Sequence, residues 1–309
     1  MAQDAETPSL KEGRRWIRQP LLLSILAGAL YALAFPVVQA SPLAWFALIP
    51  LIWAVRAART WRRALLYGAT AAVAMCAIGY AWIADMAMRF WSVPLPVAAL
   101  LLLLYSSFGE INFTLFALFL HRLRRRLERW PAAATAALFT LIEALVPKIF
   151  PDTLGSTQVN VPGLPAAASL VGTFGLSFVV AWFGACLAWI PGSGVRRRRR
   201  LGELVLCLVC VGGIWMYGAR RLQAVDALPV QHQLDVAIVQ SNIGDMGVFL
   251  DELGDMRVMA DTVIAQYMKL TREAVEPGKP DVVIWPETAI PITPRDRAFE
   301  PVRALVREL

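Results

Sequence analysis

A chain of 309 residues that is 58% hydrophobic and 17% charged, with a mean hydropathy of +0.55, is too apolar for an ordinary soluble domain. This composition excludes a disordered chain, and four cysteines in so long a chain exclude a disulfide scaffold. The remaining class is a membrane protein, which can also contain a soluble part. The net charge of +7 has to be interpreted from where the basic residues lie in the sequence.

The chain begins with a short polar segment (1–19) and continues with apolar segments near the length of about 20 residues that a spanning helix needs. These segments predict a polytopic α-helical membrane bundle over residues 20–218. The seven predicted spans are 20–38, 40–56, 64–84, 93–120, 131–147, 166–190 and 201–218. Span 1 has an alternative interpretation as a signal peptide, because a basic stretch precedes it and Val38-Gln39-Ala40 resembles a cleavage site.

The basic residues lie in alternate connections between these spans. Eighteen Lys and Arg residues lie before span 1 or in every second connection, whereas the other connections contain only Arg89 and Lys148. This positive-inside pattern predicts a cytoplasmic N-terminus, and seven crossings then place the residues after Tyr217 on the outer face. The arginine run at 196–200 has no interleaved aromatic residues, so it indicates a topology determinant and no nucleic-acid partner.

A few polar residues and all four cysteines lie inside the predicted spans. Glu110, Asn112 and Glu143 are functional candidates, because ionisable and polar groups are costly at membrane depth. The alternative is that they form hydrogen bonds between helices that fix packing. Cys207 and Cys210 have the C-x-x-C spacing of metal and redox sites. They lack a second ligand pair, so we interpret them as small buried apolar residues and predict no metal site.

After residue 218 the composition becomes that of a soluble domain. A polar linker (219–233) precedes a β-branched run at 234–240, which predicts a buried strand. Residues 249–276 place apolar side chains three and four apart and predict a long amphipathic helix. A second strand is predicted at 281–285. Strand, helix and strand in this order predict a βαβ unit with parallel strands.

Polar residues follow both predicted strands, at the edge of a parallel sheet where functional groups collect. Gln240 and Asn242 follow the first strand, and Trp285, Pro286 and Glu287 follow the second. A carboxylate that is held by a preceding proline and shielded by an indole is partly desolvated, which raises its pKa toward the range of a general base. The alternative is a surface glutamate at a strand-to-loop junction.

The segment Trp285-Pro286-Glu287-Thr288-Ala289-Ile290-Pro291, after a strand with Val239-Gln240-Ser241-Asn242-Ile243, resembles the start of the nitrilase-like domain of apolipoprotein N-acyltransferases. The bundle is similar to that family at residues 44–51, 150–158 and 172–177. The resemblance implies a seven-span bundle in the bacterial inner membrane. It also implies that the bundle is followed by the start of a periplasmic α/β domain, the α-β-β-α sandwich of the carbon–nitrogen hydrolase superfamily.

The resemblance also implies a reaction. In this family a cysteine thiol takes an acyl chain from the sn-1 ester of a phospholipid, and the α-amine of a diacylglyceryl-cysteine lipoprotein then accepts it. A Glu–Lys–Cys triad supplies the general base, the oxyanion stabiliser and the nucleophile. Glu287 matches the general base, with Trp285, Pro286, Gln240 and Asn242 as supporting residues. The implied partners are the phospholipid donor, the apolipoprotein and the bilayer, and no cofactor is implied.

The Lys and the Cys of this triad have no counterpart in the sequence. Lys279 precedes Glu287, and every cysteine lies in a predicted span. Residues 234–309, which end in a predicted helix near 298–309, are therefore expected to be the first part of the hydrolase domain, and the chain is expected to be inactive alone. Two alternatives remain open. One is a membrane-anchored amidase of the same fold class, and the other is a non-catalytic transporter or scaffold that uses Glu110 and Glu143.

Overall fold

A computed structural model describes residues 10–35, 38–123, 126, 131–190, 195–243, 256–276, 278–287, 289 and 299–308. The chain divides into two compact units. We call Met1–Asp85 with Leu95–Ala227 the helical unit, and Met86–Pro94 with Leu228–Leu309 the C-terminal unit.

Helices make up most of the chain up to residue 226. In chain order they are α1 (Leu10–Leu33), α2 (Ala44–Ala57), α3 (Trp61–Gly79), α4 (Ala81–Phe90), α5 (Leu95–Phe108), α6 (Ile111–Leu123), α7 (Pro131–Leu145), α8 (Leu164–Trp189) and α9 (Val195–Asp226). Short 3-10 turns at Ser41–Leu43 and Gly155–Gln158 precede α2 and α8. The prediction of a helical bundle is confirmed at this level.

The described residues contain fewer helices of full spanning length than the seven predicted spans. By length and composition, α8 and Arg197–Asp226 of α9 can each cross a membrane. The pairs α3–α4 and α5–α6 qualify only if each pair counts as one span, because the helices are bent by 58° and 43° at the breaks between them. Three shorter apolar helices coincide with predicted spans 1, 2 and 5: Gln19–Leu33, Ser41–Ala57 and Pro131–Leu145. The described residues thus contain two to four helical segments of spanning length, and seven crossings stay a prediction.

Close packing of helices around α3 organises the helical unit. This helix contacts α1 and α6, and a second group forms where α8 contacts α2, α7 and α9. A Cβ at Gly28 would lie 2.2 Å from the Ala71 carbonyl oxygen, and one at Gly68 would lie 2.6 Å from that of Phe113. Glycine therefore lets α3 approach both neighbours backbone to backbone, which is a common basis of helix packing in membranes.

Two of the arginines that predict topology also stabilise the end of α8. Arg56 donates from Nη1 to the Ala188 carbonyl at 2.7 Å, and Arg200 donates from Nη1 to the Trp189 carbonyl at 2.7 Å. The last carbonyls of a helix lack partners within the helix and carry partial negative charge, so cations are favourable there. Arg56 and Arg200 thus have a structural role that does not depend on the predicted topology.

The C-terminal unit contains the predicted βαβ unit. Its elements are β1 (Val236–Ile238), α10 (Met256–Val275), β2 (Val282–Ile284) and α11 (Glu300–Glu308), and the two strands pair in parallel. The strands are shorter than predicted. Residues 249–255 of the predicted helix lie outside the described residues. Residues 219–226, expected in the linker, instead continue α9, because they are mostly good helix formers.

One face of the two-stranded sheet packs on α10, where Val239, Met259, Val263 and Tyr267 form a buried cluster. The prediction of a buried strand is wrong for the alternate residues. Val236 and Ile238 of β1 are 47% and 75% exposed, because no described element of this unit covers the other face.

Candidate functional site

The carboxyl ends of β1 and β2 lie side by side in the C-terminal unit. The strands are parallel, and beyond them the Val239 N–H donates to the Ile284 carbonyl at 2.9 Å. The segments 240–243 and 285–287 therefore leave the sheet at the same edge. Asn242 has φ 50°, a left-handed conformation that asparagine tolerates better than most residues. The structure thus brings the two predicted segments to one edge of the sheet.

Trp285 is fixed against α10 by packing and by a hydrogen bond. Its ring centroid lies 4.9 Å from that of Tyr267, and its Nε1 donates to Thr271 Oγ1 at 2.9 Å. The Thr271 side chain is buried, and its hydroxyl donates in turn to the Tyr267 carbonyl at 2.7 Å. These contacts fix the position of Trp285, at which the segment that carries Glu287 begins.

Glu287 lies in a turn that is closed by the Ala289 N–H, which donates to the Pro286 carbonyl at 3.2 Å. Glu287 is exposed, as are Pro286, Gln240 and Asn242. The Trp285 ring packs on α10, and the Glu287 side chain is exposed, whereas the sequence suggested a partly desolvated carboxylate. The site residues are therefore open at this edge of the sheet.

Among the described residues, no Lys or Cys side chain lies at this edge of the sheet. Lys279 lies in the turn before β2, at the opposite end of the strand from Glu287, with φ 46°. The cysteines lie in helices as predicted: Cys76 in α3, Cys186 in α8, and Cys207 with Cys210 in α9. Among the described residues no group of three His, Cys, Asp or Glu side chains is arranged to hold a metal ion.

A second set of polar residues is buried in the helical unit. Glu143 of α7 accepts hydrogen bonds at Oε1 from the Tyr31 hydroxyl of α1 at 3.2 Å and from the Leu154 N–H at 2.8 Å. All three residues are buried. Glu143 thus connects α7 to α1 and to the connection before α8, which is the packing role that the sequence left open.

Glu110 lies at the break between α5 and α6 and forms an ion pair with Lys148. The Lys148 Nζ is 3.2 Å from Glu110 Oε2 and 3.0 Å from Asp152 Oδ1, and it also donates to the Asp152 carbonyl at 3.0 Å. Lys148 and Glu110 side chains are 5% and 0% exposed. Burial alone lowers the pKa of Lys148, but the two carboxylates outweigh it and raise that pKa above its usual value.

Comparison with known proteins identifies the family. A family model described as the apolipoprotein N-acyltransferase N-terminal domain matches residues 27–186, more than half of the chain. The chain belongs to the apolipoprotein N-acyltransferase family. An apolipoprotein N-acyltransferase of Geobacter metallireducens is 29% identical over 305 residues, covering 94% of this chain and 56% of the relative. One of Azotobacter vinelandii is 31% identical over 294 residues, covering 90% and 53%. The chain thus spans about half the length of these curated relatives.

The region matched by the family model includes Glu110, Glu143 and Lys148 and excludes Glu287. Sequence reasoning had used Lys148 only for topology. Its spacing of four residues from Asp152, in a connection with no other cation, was the available signal. Asn112 is buried in α6, and both polar atoms of its side chain lack a hydrogen-bond partner among the described residues.

Glu203 is a further buried carboxylate that the sequence analysis did not single out. It lies in α9, and its Oε1 accepts from the Ala133 N–H at 2.6 Å and from Trp182 Nε1 at 3.4 Å. The bond to Ala133 satisfies one of the free N–H groups in the first turn of α7, where negative charge is favourable. The signal in the sequence was that Glu203 is a single carboxylate inside an apolar segment.

Proposed function

We propose that this chain contributes to N-acylation of lipoproteins, as the N-terminal part of an apolipoprotein N-acyltransferase. The family match over residues 27–186 carries the proposal. The donor is a membrane phospholipid, and the acceptor is the α-amine of a diacylglyceryl-modified apolipoprotein. The helical unit lies in the bacterial inner membrane with a cytoplasmic N-terminus. The C-terminal unit is the start of a periplasmic nitrilase-like domain.

The reaction has two acyl-transfer steps. A cysteine thiolate attacks the sn-1 ester carbonyl, the thioester forms, and the lysophospholipid leaves with the proton that the thiol gave up. The lipoprotein amine then attacks the thioester, the amide forms, and the thiol is restored. Glu287 takes the proton first from the thiol and then from the amine. Its place after β2, on a segment that Trp285 anchors to α10, supports this role.

A chimera tests the role of Glu287. It joins this chain to the remaining C-terminal part of the Azotobacter vinelandii relative, in cells that lack their own N-acyltransferase. We expect N-acylation of a reporter lipoprotein, measured by mass spectrometry of its N-terminus. Glu287→Gln should lower the rate by at least about 100-fold, because the general base is lost. Glu276→Gln, at an exposed position of the same unit, is the matched control and should leave it unchanged.

The 309-residue chain taken alone lacks a matching Lys and Cys, so we expect it to form no acyl-enzyme. Incubation with labelled phospholipid, followed by hydroxylamine treatment, measures the thioester. A hydroxylamine-sensitive label on the chain alone would contradict this assignment. The amidase alternative predicts ammonia release and no lipoprotein acylation by the chimera. The transporter or scaffold alternative predicts that Glu287→Ala has no effect and that replacing Glu110 or Glu143 abolishes function.

A further inference from the structure

Three arginine-containing connections of the helical unit meet at one end of it. The guanidinium carbon of Arg122, in the last turn of α6, lies 6.0 Å from the centroid of the Trp61 ring at the start of α3. Glu203 of α9 accepts a hydrogen bond from the first turn of α7. Arg56 of α2 and Arg200 of α9 both bind carbonyls at the end of α8. The ends of α2, α6 and α8 and the starts of α3, α7 and α9 therefore lie together.

This end of the helical unit is strongly positive. Its exposed arginines include Arg59, Arg62 and the run Arg197–Arg199. The described parts of the three connections, within 56–63, 122–126 and 195–200, contain no Asp or Glu. Glu203 lies close to this end but is buried and accepts hydrogen bonds from other helices. The surface is therefore complementary in charge to an anion and has no exposed carboxylate of its own among these residues.

Arg56 and Arg200 are fixed against one indole at the centre of this surface. Their guanidinium carbons lie 4.4 Å and 5.9 Å from the centroid of the Trp189 ring, and both side chains are partly exposed. A guanidinium is planar, stays charged and binds several acceptors at once, which suits a phosphate group. Because these side chains are already held in place, binding an anion orders little additional structure.

The end of α8 itself disfavours an anion, because the last carbonyls of a helix carry about half a negative charge. Arg56 and Arg200 each bring a full positive charge to the last two carbonyls of α8, those of Ala188 and Trp189. The two cations outweigh the partial charge of the helix end. The balance at this position therefore favours a negatively charged ligand.

Apolar side chains are exposed beside the two arginines, on the side toward the middle of the helical unit. Trp53 lies one turn before Arg56 in α2 and donates from Nε1 to the same Ala188 carbonyl at 3.1 Å. Leu201 and Leu208 follow Arg200 in α9 and are exposed, as is Trp53. Indole rings and arginines next to apolar helix surface are typical of the membrane interface. A free phosphate would leave this apolar surface uncovered, whereas the chains of a lipid would cover it.

We infer that the ends of α2, α8 and α9 bind an anionic phospholipid, with its phosphate on Arg56 and Arg200 and its acyl chains along Trp53 and Leu201. The lipid bound here stays intact, so the site is distinct from that of the acyl donor. Binding depends on these residues alone. The placement of the lipid in the cytoplasmic leaflet rests on the proposed function, which assigns this end of the unit to the cytoplasmic side.

Two lipids with the same acyl chains and different head groups test the inference on the full 309-residue chain in detergent. Phosphatidylglycerol is anionic and phosphatidylcholine is zwitterionic, and native mass spectrometry of a mixture in equal amounts measures how much of each lipid stays bound. We expect phosphatidylglycerol to bind about tenfold more tightly, because two positive charges face its phosphate. Equal affinities, or a preference for phosphatidylcholine, would overturn the inference.

Inorganic phosphate separates a lipid site from a phosphate site. Added in molar excess, it should leave phosphatidylglycerol bound, because the apolar contacts of the acyl chains are made by the lipid alone. Displacement of phosphatidylglycerol by inorganic phosphate would overturn the assignment of a lipid.

Paired variants separate these arginines from the total charge of the chain. Arg56→Gln combined with Arg200→Gln should abolish the preference for phosphatidylglycerol. The matched control is Arg220→Gln combined with Arg221→Gln, which removes the same charge at exposed positions near the other end of α9 and should retain the preference. Equal losses in the two double variants would show that total charge drives binding and would overturn the proposal.

A single variant keeps the test valid if the loss of Arg56 and Arg200 prevents folding. Arg197 is exposed and lies about one turn before Arg200 in α9. Arg197→Gln should weaken phosphatidylglycerol about fivefold, whereas Arg220→Gln should leave its binding unchanged. Unchanged binding in Arg197→Gln would overturn the proposal. Because binding is measured without acyl transfer, failure here leaves the role of Glu287 intact, and an inactive chimera leaves lipid binding intact.

Discussion

The ionisable residues that pair inside the helical unit are buried, whereas the polar residues of the candidate site in the C-terminal unit are exposed. In the helical unit, Glu143 and the Glu110–Lys148 pair are buried and hold together segments that are far apart in sequence. In the C-terminal unit, Gln240, Asn242 and Glu287 are exposed at one edge of a two-stranded sheet. A carboxylate in an apolar segment of this chain is therefore a structural contact first, whereas the carboxylate proposed to react lies where a substrate can reach it.

Replacing Lys148 should have the largest effect on stability. Lys148→Ala leaves the carboxylates of Glu110 and Asp152 buried without their cation, and we expect a loss of about 3–5 kcal/mol in the free energy of unfolding. Denaturant titration of the chain in detergent measures it. The matched control is Lys269→Ala in the C-terminal unit, whose 3.8 Å ion pair with Glu273 joins two exposed side chains. A surface pair of this kind contributes about 0–1 kcal/mol. Similar losses at both lysines would break the contrast between the units.

Removing the acceptor at Glu143 should have an intermediate effect. Glu143→Ala leaves the buried Tyr31 hydroxyl and the Leu154 N–H without their partner, and we expect a loss of about 1–3 kcal/mol. Glu143→Gln keeps an acceptor oxygen and should lose less. A double-mutant cycle with Tyr31→Phe measures the coupling by thermal unfolding. Strict additivity of the two changes would argue against a hydrogen bond between α1 and α7.

A change at Trp285 should have the smallest effect of the three. Trp285→Phe keeps an aromatic ring near Tyr267 but removes the hydrogen bond to Thr271, and we expect a loss of about 1 kcal/mol in the stability of the C-terminal unit. Hydrogen exchange of α10 amides provides the readout, with Thr271→Val as the partner variant. Unchanged exchange in both variants would mean that Trp285 does not anchor the segment of Glu287 to α10.

The sequence predicted what depends on local pattern. Apolar segments predicted most of the helical unit, and the switch to short β-branched runs and an amphipathic pattern predicted the parallel βαβ unit. The breaks after Gly79 and Phe108 were not predicted, because both lie inside continuous apolar segments. The extension of α9 to Asp226 was missed because polar residues alone do not end a helix.

The polar residues of the chain likewise include some whose placement the sequence predicted and others whose contacts it did not. The edge with Glu287 follows from strand order, since parallel strands end on the same side of a sheet. The pairing of Glu110 with Lys148 joins residues 38 positions apart and depends on how helices pack, which no local pattern encodes. The position of the Trp285 ring likewise depends on where α10 lies, and the sequence did not predict its contacts with Tyr267 and Thr271.

The most direct test measures N-acylation and stability together in the chimera that carries this chain. The proposed roles predict that Glu287→Gln lowers the rate of acylation of the reporter lipoprotein by at least about 100-fold and leaves the unfolding midpoint unchanged. A Glu287→Gln chimera that acylates the reporter at the parent rate would contradict the assignment of Glu287 as the general base.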